Sequence, residues 1–101
     1  MALQAAFIFI APEADPIHHR SIVKTPEVHL TVVGVKDYKE AEKVAKELVD
    51  QGIISLELCG GFGSIGTAAV TKAVQNKANV GAVRFDIHPG LGFKSGDEFF
   101  S

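Results

Sequence analysis

Apolar and polar residues along this chain repeat with two periods, one of two residues and one close to 3.6, and the two alternate from segment to segment. Leu3–Ile10 carries Phe and Ile on both alternating faces, which predicts a central strand covered on two sides. In residues 27–35, Val28, Leu30 and Val32 alternate with His29, Thr31 and Val33, predicting a more exposed strand. Tyr38, Ala41, Val44, Ala45, Leu48 and Val49 then recur at helical spacing through residues 38–51. Asp37 and Glu40 have the spacing of a capping box before this helix, and Gly52 suits the left-handed position after it. Lys39, Glu42, Lys43, Lys46, Glu47 and Asp50 form its solvated face. A strand over 53–59 follows, then a helix over 64–77 with Ile65, Ala69, Val70, Ala73 and Val74 inward, and a last strand over 80–86. Asn76 and Asn79 suit the exit from the second helix. Between the first two strands, Pro12 and Pro16 break the pattern, and residues 17–23 are expected to make one or two helical turns.

The element order β-β-α-β-α-β predicts an α/β fold: a small, mostly parallel four-stranded sheet with flanking helices, a Rossmann-like or flavodoxin-like fragment. A ferredoxin-like α+β arrangement is the alternative, and the first strand pair is compatible with either direction. A length of 101 residues predicts one domain over 1–101. Composition adds exclusions. Net charge is -2 with Lys and Arg scattered, so no basic stripe for nucleic acid is present. No apolar run approaches the roughly 20 residues that span a bilayer, and residues 1–11 lack the basic start of a signal peptide. Neither nucleic acid nor membrane is expected as a partner. The single cysteine, Cys59, forms no internal disulfide and suits a reducing cytoplasm.

Chemistry concentrates in residues 56–66, read as a strand, a glycine turn and a helix start. Gly61, Gly63 and Gly66 fit G-x-G-x-x-G in the structural context that motif needs. Glycine permits positive φ and close backbone approach, and a helix start offers unpaired N–H groups with partial positive charge. Gly60, Gly61, Phe62, Gly63, Ser64 and Gly66 are therefore candidate contacts for a small phosphate or carboxylate. A full dinucleotide site is not expected, because too little chain follows; Asp86 alone stands near the ribose-binding distance. The sequence names no cofactor.

A parallel sheet brings the residues after each strand to one edge, where ligands of open α/β sheets bind. Asp15, His18 and His19 would follow the first strand, Cys59 and the glycine turn the third, and Asp86 and His88 the fourth. Cys59 is a candidate nucleophile, since a helix start and an imidazole favour thiolate, and His18 or His88 a candidate acid or base. His18, His19, His88 and Cys59 are metal-ligand types without a recognised spacing, so no metal site is assigned. Glu57 and Arg84 are charged residues inside apolar strands; an ion pair between them, contact with a carboxylate ligand, or contact with a second subunit would each explain them. Phe99 and Phe100 end a glycine-rich tail, which predicts burial on a sheet edge or a neighbouring subunit, hence a homo-oligomer.

Residues 5–16, 57–63 and 83–90 together resemble a family of short, uncharacterised prokaryotic α/β proteins, over almost the whole chain. The resemblance implies one compact domain and brings no activity with it. Two functional classes remain: a small-anion pocket at the glycine turn, and a noncatalytic homo-oligomeric assembly module.

Overall fold

A computed structural model describes residues 1–101. Its elements are β1 (Leu3–Ile10), β2 (Arg20–Lys24), β3 (Val28–Val35), α1 (Tyr38–Asp50), β4 (Ser55–Leu58), α2 (Ser64–Val74), β5 (Asn79–Ala82), a 3₁₀ turn (Pro89–Leu91) and α3 (Asp97–Phe100). The five strands form one mixed sheet in the order β2-β3-β1-β4-β5. β1 pairs in parallel with β3 and β4, β4 pairs in parallel with β5, and β2 runs antiparallel along β3. The first predicted pair is thus parallel, which removes the ferredoxin-like alternative.

The expected four strands become five because residues 17–23 do not continue as a helix: one turn closes where the His19 N–H donates to the Asp15 carbonyl at 2.8 Å. Arg20 to Lys24 extend instead as an edge strand, joined to β3 by a short hairpin. Thr25 closes that hairpin: its Oγ1 donates to the Val28 carbonyl and accepts from the Val28 N–H, both at 2.9 Å. β5 is shorter than its pattern and ends at Ala82. α2 stops at Val74 because Gln75 and Asn76 take left-handed backbone conformations, φ 51 and 66. Its inward row is Gly66, Val70 and Val74, whereas Ile65, expected inward, is 60% exposed. α1 follows its pattern closely. Asp37 accepts from the Glu40 N–H at 2.8 Å, and the Glu40 carboxylate accepts from the Lys36 N–H at 2.9 Å, one residue before the usual capping-box donor.

Counted alone, the parallel strands lie in the order 2-1-3-4, the start of a doubly wound sheet. Both helical crossovers move the same way across the sheet, so right-handedness puts α1 and α2 on one face. There they pack on Ala6, Ile8 and Ile10 of β1, Val33 and Val35 of β3, and Leu56 and Leu58 of β4. The β1-to-β3 connection carries no helix. The opposite face is consequently bare: Leu3, Ala5, Phe7 and Phe9 of β1 lie level with Val28, Leu30, Val32 and Gly34 of β3, with Val23 of β2 beside Leu30. Glu57 of β4 lies on this face, level with Phe7 and Gly81. No helix is long and apolar enough to cross a membrane.

Candidate functional site

α2 begins after Gly63, which has no side chain to accept from the first-turn N–H groups. The acceptor comes from α3. Asp97 accepts from the Ile65 N–H at 3.1 Å and from the Gly66 N–H at 3.2 Å, one through each carboxylate oxygen. Tyr38, first residue of α1, donates its hydroxyl to Asp97 at 2.7 Å and accepts from the Gly63 N–H at 2.9 Å. Burial, with the neighbouring Asp97 carboxylate adding to it, holds the Tyr38 phenol well above its ordinary pKa of 10.0, so it stays a donor. The helix start that the sequence marks for an anion is therefore occupied by a carboxylate of the chain itself.

The glycines fit that occupant. None in residues 60–66 has a positive φ. A Cβ on Gly63 would strike the Asp97 carboxylate, and one on Gly66 would strike the Tyr38 ring. Tyr38 in turn stacks on Phe62 at 5.6 Å and lies 6.4 Å from Phe100. Phe100 is buried within its own domain, while Phe99 stays exposed.

The remaining expected site residues divide among separate places. Phe62, Gly63, Ser64, Arg84 and Asp86 line a cleft of about 830 Å³ between α2 and residues 82–86, together with Thr67, Thr71 and Lys72. Cys59, Gly60, Gly61 and His88 line a smaller cavity of about 220 Å³ at the carboxyl edge of the sheet, with Ile10 and Phe100. In this cavity the Cys59 sulfur accepts from the Ile10 N–H at 3.4 Å and the Gly61 N–H at 3.3 Å. His88 Nδ1 accepts from the Gly90 N–H at 2.9 Å, and its ring meets Phe85 edge-on at 4.8 Å. No hydrogen bond joins Cys59 to His88. His18 lines neither space; it lies before β2, where Nδ1 bonds the Asp15 carboxylate at 2.7 Å. That bond, with the Ile17 N–H, draws the exposed Asp15 carboxyl below its ordinary 3.8. His19 Nδ1 accepts from the Asp15 N–H at 2.9 Å. No group of three or more His, Cys, Asp or Glu is poised around a common point for a metal ion.

The expected Glu57–Arg84 pair does not form. β5 ends two residues before Arg84, so Arg84 leaves the ladder and donates through Nε to Asp86 at 2.9 Å, while Glu57 stays on the bare sheet face. Sequence reasoning placed Tyr38 in the core and missed its hydroxyl, and it missed Asp97 and Lys72 altogether. The signal for Asp97 was a negative one: a helix whose N-cap is glycine requires an acceptor from elsewhere.

Neither the curated proteins nor the solved structures compared with this chain give a match. The model of a family of unknown function, DUF6506, matches residues 3–98, and the chain belongs to that family.

Proposed function

We propose that this domain is a noncatalytic binding module for a small organic anion, held in the cleft between α2 and residues 82–86. The observation that carries the reading is the pairing of Lys72 and Arg84 across an 830 Å³ space with a partly apolar lining. That volume is in the range of small-molecule sites. Arg84 uses only Nε on Asp86, which leaves both terminal guanidinium nitrogens to fork a carboxylate or phosphate. The Ser64 and Thr67 hydroxyls supply further polar contacts, and Phe62, Val83 and Phe85 supply apolar ones. Binding rather than catalysis follows from the separation of the reactive groups: Cys59, His88 and His18 share no hydrogen bond, and none of them lines the cleft. The single cysteine suits a reducing cytoplasm as the setting.

The test is thermal unfolding with a panel of aliphatic and aromatic carboxylates and phosphate monoesters. At least one class should raise the unfolding midpoint in proportion to its concentration, as binding to the folded state requires. Lys72→Ala and Arg84→Ala should each abolish that rise; both side chains are exposed, so the variants fold. A panel without effect, or a rise that survives both substitutions, overturns the reading.

A further inference from the structure

The bare sheet face is the largest feature that the cleft does not use. Three of the four strand pairings are parallel, and parallel strands are ordinarily covered on both faces, because their crossovers place helices on each. The crossover that would cover this face carries β2 in place of a helix. Phe7, Phe9, Leu30 and Val32 sit here half-buried, with Ala14 of the β1–β2 connection against Gly34 at one end, and Leu3 and Val23 are 42% and 54% exposed. From the cross-strand positions, Glu57 is the face's one ionisable residue.

We propose that this face is the interface between two copies of this chain. The partner is argued from geometry, area and polar pairing. The apolar residues centre between β3 and β1. A two-fold axis running there, along the strands and between the sheets, lays β1 of one copy on β3 of the other and β4 on β2. The same patch then faces itself, as a two-fold contact demands. Such stacking of twisted sheets about 10 Å apart is the ordinary geometry of a β-sandwich. At about 3.3 Å per residue and about 4.8 Å between strands, the face of β2, β3, β1 and β4 projects to roughly 400 Å² per copy. Two copies thus give about 800 Å² in projection, and side-chain relief takes the accessible area to about the 1,000 Å² that a specific interface needs.

Polar pairing agrees with the same axis. Glu57 is level with Phe7, Phe7 with Val32, and Val32 with Ser21. The axis therefore puts Glu57 over the second copy's Ser21, which shares the bare face with Val23 and whose hydroxyl can donate to the carboxylate. Arg20, Ile22 and Lys24 lie level with Val33, Thr31 and His29 and so take the other face of β2, outside this contact. The interface lies on the face opposite α1 and α2 and leaves the cleft open, so this inference stands independently of the binding reading.

Sedimentation equilibrium of the untagged full chain, with circular dichroism of every variant, tests it. The expected result is a dimer whose dissociation constant rises at least about tenfold in Val23→Lys, a change at an exposed position that forces a charge into the contact. Glu57→Arg should weaken the dimer, and adding Ser21→Glu to it should restore association. A wild-type monomer at high micromolar concentration overturns the proposal, and would mean that a different protein covers the face. A dimer indifferent to Val23→Lys, or a Ser21→Glu change that fails to restore Glu57→Arg, overturns it as well.

Discussion

Asp97 and Tyr38 act as one unit, since the same carboxylate oxygen accepts from the Tyr38 hydroxyl and the Gly66 N–H. Asp97→Ala leaves two first-turn N–H groups of α2 without their acceptor and should cost about 1–3 kcal/mol. Tyr38→Phe keeps the ring packing and removes the hydroxyl, at about 1 kcal/mol. Urea unfolding of both single variants and the double variant should give a non-additivity of at least about 0.5 kcal/mol; strict additivity would mean that the two groups act separately. Gly66→Ala offers a sharper contest. Helix propensity alone favours alanine by up to about 1 kcal/mol, whereas the Tyr38 ring occupies the place of the new methyl. Close approach should win, by about 1–3 kcal/mol of destabilisation in the same unfolding measurement. The Asp15 carboxyl has its pKa lowered, so its pairing with His18 contributes stability above the ordinary 3.8 and loses it as pH falls through the folded value. In an NMR titration, His18→Ala should move the Asp15 midpoint upward.

At the scale of elements, α1 is the most regular piece, and Asp37→Ala should cost about 1 kcal/mol through its lost cap. Deleting residues 97–101 should act at a distance: hydrogen exchange at the Ile65 and Gly66 amides should accelerate well beyond that of the α2 centre. These elements differ in how plainly the sequence announced them. β1, β3 and α1 were legible because each buries a face, so burial imposes its period on the residues. β2 was not, because all five of its residues are exposed and its backbone pairing with β3 leaves no apolar signature. The end of β5 was misjudged for the opposite reason. Val83 and Phe85 continue the apolar pattern past Ala82, but the Phe85 ring fills the space over Gly60 rather than extending the ladder. Within the site, the position of the glycine turn could be read directly. Its occupant could not, since the contact with Asp97 joins residues 31 apart and depends on how the tail folds back.

For the molecule as a whole, two helices cover one side of a five-stranded sheet and leave the other to Phe7, Phe9 and their neighbours. If two copies close over that side, unfolding is coupled to dissociation, and the thermal midpoint should climb as protein concentration is raised. A midpoint constant over a hundredfold range would argue for an isolated subunit. A different consequence follows from where α2 finds its acceptor. A ribosome delivers residues 64–74 well before residue 97, so for that interval the nascent helix has its turn formed and its closing carboxylate still undelivered. Tyr38 and Phe62 wait with it, because Phe100 completes their cluster. All five strands lie within residues 1–82, but the carboxyl edge settles only once the tail is in place. A chain cut back to residues 1–82 would therefore hold every strand of the sheet and an unfinished rim.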